Sequence, residues 1–394
     1  MIPLDEALAL LDDALSSVRL EEVQVPVHSA CGMVLAEDVR SLLELPPFDR
    51  SAMDGFAVME DDERQRYRVI GTVRAGETCN FTLSPGTAVK VMTGAPVPAG
   101  TGAVVIREHV EEEGDSILVK KHDTGNVCRR GEDVKKGQVI LHKGRRLRPV
   151  DTGNLVSCGV LSVRVYRRPR VAVLSTGDEL VSLPELAQGG RIMDANGPLL
   201  SSVCAAHGIE VVLTQVIPDV PDAVSGALLR ALAVADVVLF TGGVSMGDFD
   251  CVGDALKGSG RLIFDRVAIK PGKPTTLAMI DGKPVFGLPG NPVSVFVAFH
   301  VFVLRALARM CGTEPDGLRR LPLARPFRRR KAERTEFRPA RLTPEEVLEP
   351  VEYHGSAHLM ALSVADGFFV VPAGKTELAA GEVVEFMHFA RCLR

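Results

Sequence analysis

The sequence is short of the features that announce the commoner chemistries. Its eight cysteines, Cys31, Cys79, Cys128, Cys158, Cys204, Cys251, Cys311 and Cys392, contain no CxxC pair and no even framework. They read as reduced packing thiols, which excludes a zinc ribbon or a disulfide scaffold. Positive charge is not in excess. With 46 lysines and arginines against 50 aspartates and glutamates, the net charge of −4 supplies no global basic field for nucleic acid. Apolar runs are brief: the longest, 293–304, is interrupted by His300 and stopped by Arg305, short of the ~20 residues that cross a bilayer. The acidic, amphipathic first residues lack the layout of a signal peptide, so a soluble cytoplasmic protein is expected. There is no Walker A loop, GxGxxG, nucleophile elbow, HExxH or kinase signature, which weakens any standard nucleotide or hydrolase assignment.

What is present divides the chain into several folding units. Leu4, Leu8, Leu11 and Leu15 recur at helical spacing and predict an amphipathic helix over 4–17, with Asp12, Asp13 and Ser16 outward. Short strands are expected at 23–27 and 34–39. From 67 to 140, brief β runs punctuated by glycine argue a small all-β module, with Glu111, Glu112 and Glu113 at a hairpin tip. Residues 145–169 return to the unit that the N-terminus began, with Asp151 capping a short helix.

At Arg170 the pattern changes. Strands are expected at 171–174, 210–216, 237–240, 275–279 and 284–286, and helices at 196–206, 221–233, 251–257 and 292–310. That alternation predicts a doubly wound parallel sheet with its site at the strand C-termini. After Gly317 strands return, and the basic stretches 328–331 and 334–338 read as solvated edges of a β-barrel-like domain. The expected class is multidomain, α/β plus β. A discontinuous extended domain (1–45 and 138–169) carries an inserted β module (46–137), followed by an α/β domain (170–317) and a C-terminal β domain (318–394).

Candidate chemistry crowds into 236–294. Thr176 and Gly177, Gly242 and Gly243 with Ser245, and Asn291 to Ser294 form Gly-rich or Pro-rich strand ends where backbone N–H groups can approach a phosphate. Lys270 and Lys273 are separated by Pro271 and Gly272 and followed by Pro274, so the bent backbone lets both ammonium groups converge on one oxyanion. Asp248 and Asp250, with Asp219 and Glu179 at other strand ends, are hard oxygen donors suited to a Mg²⁺ that keeps several waters. Simple ion pairs with the lysines are the other reading. Asp49 and Asp54, beside Ser51 in a constrained loop, serve either as Asx-turn caps or as site residues. For Thr93 and Asp133 a turn role is the simplest reading. His354 and His358 have metal-like spacing, but Gly355 between them argues against the helix that would align them.

Six segments together carry a resemblance: PPFDRSAMDGFAV at 46–58, MTGAPVPAG at 92–100, STGDEL at 175–180, TGGVSMGD at 241–248, KPGKP at 270–274 and GLPGNPVS at 287–294. In this order, over nearly the whole chain, they resemble the molybdopterin molybdenumtransferase family, the MoeA-type bacterial enzymes that also recur as the C-terminal domain of gephyrin. The resemblance implies an elongated homodimer of four-domain subunits with a cleft completed by the partner. It implies Mg²⁺-dependent insertion of molybdate into adenylylated molybdopterin, with release of AMP and molybdenum cofactor. Lys270, Lys273, Ser294, Arg334 and Ser356 would then hold the oxyanion. Asp219, Asp250, Glu179 and Lys270 would line the pterin-nucleotide and metal site, while Asp54, Thr93 and Asp133 reach in from the β module. The implied partners are small-molecule substrates, a second copy of the chain and the molybdopterin adenylyltransferase, with neither nucleic acid nor membrane. Three alternatives stand beside this: the adenylyltransferase of the preceding step, a tungstate-inserting paralogue, and an oligomeric scaffold that keeps the fold for partner binding.

Overall fold

The structure is a computed structural model that describes residues 1–182, 188–244, 251–315 and 317–389. The chain forms two compact units: Met1–Val23, Gly32–Val34 and Tyr166–Arg394 make one, and Gln24–Cys31 with Leu35–Val165 the other.

The larger unit is built on a six-stranded sheet in the order Glu210–Ile217, Arg170–Thr176, Val237–Thr241, Lys283–Leu288, Thr276–Ile280, Arg261–Phe264. The first four strands are parallel. Thr276–Ile280 runs antiparallel to them and Arg261–Phe264 antiparallel to Thr276–Ile280; the strand Arg261–Phe264 lies outside the expected set. Val171 to Leu174 and Val237 to Phe240 are fully buried, as strands covered on both faces must be. Helices Asn196–Ala206, Pro221–Val234 and Cys251–Ser259 supply cover; Leu228, Ala231, Val252 and Leu256 pack with Val238 and Phe240 in one core.

Pro292–Ala298 continues through the π-helical Phe299–Val303 into Leu304–Met310. This long apolar helix is buried within the protein, so its composition reflects a core position. Burial holds the His300 imidazole down to about 4, which leaves it neutral near pH 7 while its Nδ1–H donates to the Phe296 carbonyl at 2.8 Å.

Helix Leu4–Ala14 belongs to this unit and buries Ala7, Leu11 and Ala14. The leucine stripe marks its inner face, but Asp12 does not point to water as expected. Its carboxylate accepts from Arg305 at 2.8 and 2.6 Å and from Arg309 at 3.1 and 2.9 Å. Burial pushes the Asp12 pKa up, but the two guanidiniums outweigh it and bring it down to about 2.

The C-terminal part forms a second six-stranded sheet: Ile269–Lys270, Thr335–Leu342, Gly367–Val371, Val383–His388 and Arg319–Pro322 in order, with Leu348–Pro350 also paired to Thr335–Leu342. Its first strand comes from the KPGKP segment and pairs in parallel, with Lys270 opposite Glu336. The basic run is not wholly solvated. The Arg329 side chain is buried and donates to the carbonyls of Lys375, Arg334 and Pro372 at 2.7, 2.7 and 2.6 Å.

The smaller unit holds a sheet in the order Thr101–Ile106, Gly55–Met59, Thr87–Val91, Arg66–Val73, Ser116–Val119, Val110–Glu113. Side chains alternate between two cores, Ala57, Val89 and Val104 on one face and Phe56, Tyr67 and Val105 on the other. Val110–Glu113 and Ser116–Val119 form a hairpin, but Glu111, Glu112 and Glu113, expected at its tip, are paired in its first strand, and the turn falls at Gly114 and Asp115. Asp151 acts in helix Pro149–Ser157 from the third helical position, not as the N-cap. It accepts the N–H of the true cap, Arg148, at 2.9 Å and the Arg145 guanidinium at 2.9 Å.

Candidate functional site

The chain leaves Arg170–Thr176 toward one side of the parallel sheet and Val237–Thr241 toward the other, so the ends of these adjacent strands form a topological switch point. A crevice opens outside the strand C-termini at such a point. Here it is a cavity of about 800 Å³, lined by Thr176 and Glu179 from the first strand end and by Thr241, Gly242 and Gly243 from the other. The strand ends meet closely: the Thr176 hydroxyl donates to the Thr241 carbonyl at 3.4 Å, and the Gly242 N–H to the Leu288 carbonyl at 3.1 Å. The Glu179 carboxylate lies directly over Gly177, where a Cβ would meet its oxygens at 2.7 and 2.9 Å.

The KPGKP segment and the C-terminal sheet supply the positive wall. Lys270, Lys273, Pro274, Arg334 and Arg338 all line the cavity. Gly272 has φ +113°, a conformation that suits glycine and turns the chain between the two lysines. The lysines differ in one respect. Lys270 is ion-paired with the buried Glu336 at 3.1 Å, whereas Lys273 has no carboxylate partner among the described residues. Arg334 is steadied by donating to the Ile269 carbonyl at 3.3 Å. Arg338 lies between the rings of Phe327 and Tyr353, 5.2 and 4.8 Å from their centroids, an arrangement that favours a guanidinium over an ammonium.

Neutral donors close the remaining side. Asn291 donates to the Ser356 hydroxyl at 2.9 Å, and the Val293 N–H to the Ser356 carbonyl at 3.1 Å. These bonds bring Ser356 beside Ser294 at the start of the long helix, and both serines line the cavity. Asn196 reaches across to the Gly290 carbonyl at 2.8 Å. His354 and His358 stack with ring centroids 4.9 Å apart, and the His354 N–H donates to His358 Nδ1 at 3.3 Å. Among the described residues, no group of three or more His, Cys, Asp or Glu side chains is placed to hold a metal ion.

Asp219 is the electrostatic outlier. One carboxylate oxygen, Oδ1, is buried with no hydrogen-bond partner among the described residues. Burial raises its pKa first, the nearby Thr176 hydroxyl opposes that, and the charges of Asp178 and Glu179 add to the rise. A carboxylate held this way is stabilised by an added cation.

Within the larger unit the structure therefore gathers Thr176, Glu179, Asp219, Gly242, Gly243, Lys270, Lys273, Pro274, Asn291, Ser294, Arg334 and Ser356 around one cavity, with Gly177 under Glu179. Ser245, Asp248 and Asp250 lie outside the described residues. Asp54, Thr93 and Asp133 belong to the smaller unit, where Asp54 accepts the Thr93 N–H at 2.7 Å and its hydroxyl at 2.8 Å. Those bonds, the backbone one first, lower the Asp54 pKa. Asp133 takes part there through its N–H, which donates to Leu45. Asp49 pairs with Arg129 at 2.9 Å and accepts the Arg130 N–H at 2.8 Å, a loop-fixing role. Arg338, Glu336, Tyr353 and Asn196 were not singled out as site residues. The available signal was the stretch 334–338, whose alternate residues share a strand face.

Fold and site together define an α/β protein with a strand-end crevice walled by cations, the arrangement of a phosphate- and oxyanion-handling enzyme. Three family profiles cover the chain in order: MoeA N-terminal region (domain I and II) at 2–159, probable molybdopterin binding domain at 172–309, and MoeA C-terminal region (domain IV) at 320–389. The molybdopterin molybdenumtransferases of Staphylococcus epidermidis and Staphylococcus aureus are each 31% identical to it, over 93% and 98% of this chain and 91% and 95% of theirs. The crystal structure of the molybdopterin biosynthesis moeA protein from Pyrococcus horikoshii OT3 matches with a TM-score of 0.85 at 32% identity, covering 99% of this chain and 100% of that one. This chain belongs to the molybdopterin molybdenumtransferase family.

Proposed function

We propose that this transferase of molybdenum cofactor biosynthesis inserts molybdate into adenylylated molybdopterin, releasing AMP and molybdenum cofactor. The observation that carries the reading is the single cavity into which the switch-point glycines, Lys270, Lys273, Arg334 and the two serines all open. The Gly243 N–H suits a phosphate of the pterin nucleotide, and Gly242, whose own N–H is taken by Leu288, lets the backbone come close. Lys270, Lys273 and Arg334 bind and orient the tetrahedral dianion, and Ser294 and Ser356 offer hydroxyls to its oxygens. Donors fixed before the anion arrives need no reorganisation as it exchanges oxide for sulfur, which is where preorganisation is worth most. Both MoeA-type flanking regions match, so the adenylyltransferase alternative is not favoured.

Mg²⁺ fits the donor set: Asp219 presents a buried oxygen without a partner among the described residues, and Glu179 lines the same cavity. Mg²⁺ is ordinarily held by one or two carboxylates plus substrate phosphates, so a larger protein cage is not required. Asp219 and Glu179 would hold it, and the ion would neutralise charge on the nucleotide phosphates. Incubating the purified protein with adenylylated molybdopterin, Mg²⁺ and molybdate is expected to give AMP and cofactor in equal amounts, with tungstate as a parallel arm. Nucleotide cleavage without metal insertion would overturn the assignment. Asp219→Asn is expected to shift the Mg²⁺ dependence of AMP release to higher concentration by about tenfold, the size typical of weakening a ligand environment. An unchanged Mg²⁺ titration removes Asp219 from the metal site.

The working form is a cytoplasmic homodimer on this reading. Leu42, Leu43, Val156 and Leu161 of the smaller unit are large apolar side chains left exposed, and Cys158, Cys204 and Cys311 are buried free thiols. The expected results are a sedimentation mass near twice 42.3 kDa and recovery in the cytosolic fraction. A monomer at micromolar concentration excludes the dimer.

A further inference from the structure

Behind the cationic wall sits a carboxylate that the oxyanion site does not obviously need. Glu336 is 1% exposed, in the strand Thr335–Leu342 between Ile269–Lys270 on one side and Gly367–Val371 on the other. Its oxygens face three cations: Lys270 Nζ at 3.1 Å, Arg329 Nη1 at 3.3 Å and Arg338 Nη1 at 3.8 Å. A buried charge in this position is retained only with close partners, and its proximity to the cavity disfavours an incoming dianion.

The three partners differ in what they can do. Arg329 is tied to three backbone carbonyls, so it is a fixed strut that orients the carboxylate from behind. Lys270 and Arg338 line the cavity. Lys270 is a long, half-exposed chain whose ammonium, without a partner, would sample many rotamers. Arg338 is already held between two rings. Lys270 is therefore the group whose position depends most on Glu336.

We propose that Glu336 is a positioning residue for oxyanion transfer: its carboxylate fixes the Lys270 ammonium in the cavity wall and partly offsets the wall's charge, so the dianion is bound less tightly but in a productive place. This rests on reading the cavity as the oxyanion site.

The two effects of the carboxylate oppose each other in binding and reinforce each other in turnover, which gives the test a distinctive sign. In Glu336→Gln, kcat for molybdate-dependent cofactor formation is expected to fall by about tenfold as Lys270 is released. The KM for molybdate is expected to fall by about threefold as the repelling charge disappears. Glu336→Asp, which keeps the charge, recovers part of kcat and returns KM toward the parent value; it also serves if the Gln variant does not fold. In a Lys270→Met background the same Gln substitution changes kcat by less than about twofold, because two residues acting through one another are non-additive. A purely structural role predicts a lowered melting temperature with kcat per folded molecule and KM both unchanged, and that result overturns the proposal. So does an additive loss in the Lys270→Met background. If Lys270→Met itself leaves the molybdate KM and kcat untouched, the reading of the cavity fails, and that outcome is distinct from failure at Glu336 alone.

Discussion

Replacing Lys273 with alanine lowers molybdate-dependent AMP release by about 10²–10³-fold, the loss that follows removal of one preorganised donor to developing negative charge. Lys273 is exposed and pairs with no carboxylate among the described residues, so its removal takes nothing from the folded core and leaves no buried charge unmatched. Its neighbour Lys270 has part of its charge engaged by Glu336. Lys273 is accordingly the cation of the segment with the most charge available to a ligand. The segment also fixes where that charge sits. The Lys273 carbonyl accepts the Val267 N–H at 3.0 Å, and the Thr275 N–H closes back on the Gly272 carbonyl at 3.2 Å. Lys273→Arg should recover only part of the activity, because a planar fork replaces a compact ammonium at the same backbone position. The melting temperature of both variants should match the parent. AMP release unchanged in Lys273→Ala would remove this side chain from the mechanism.

The legible parts of the fold were those written in local pattern. Fully apolar runs at 171–174 and 237–240 could only be strands covered on both faces, and the glycines that follow them marked the crevice before any geometry was known. The Pro-Gly spacer between two lysines was equally plain, since a bent, pinned backbone is what makes neighbouring ammonium groups converge. The charge balance behind them was not legible. Lys270 and Glu336 are 66 positions apart and meet only because the two-residue strand Ile269–Lys270, which leads into the KPGKP segment, joins the C-terminal sheet. Asp12 misled for the same reason: on its own helix it faces outward, and the arginines that enclose it come from 305 and 309. The stretch 328–331 looked uniformly solvated because sequence pattern does not show that Arg329 will find three carbonyls. Period and turn chemistry travel along the chain; ion pairs between distant segments do not.

Gly242→Ala should damage both stability and turnover, because the switch point leaves no room for a methyl group. The residue has φ +85°, and a Cβ there would lie 2.5 Å from the Thr176 carbonyl oxygen. That oxygen cannot retreat: Thr176 ends a buried strand whose register runs from Arg170↔Glu210 through Thr176↔Ile217. The Gly242 N–H is itself committed to Leu288 at 3.1 Å, so relief on either side breaks a sheet contact. A cost of ~2–4 kcal/mol is expected, the sum of a left-handed alanine and a steric displacement. Gly282→Ala separates those two contributions. Gly282 has φ +74° in the turn between Thr276–Ile280 and Lys283–Leu288, with nothing within 4 Å of a built Cβ. It should lose only ~1–2 kcal/mol, the conformational part, and keep full activity. Thermal melts and AMP release measured on the pair give the answer. Equal destabilisation with activity retained in both would mean that the strand ends can part, and that the crevice owes nothing to the close approach of Gly242 and Thr176.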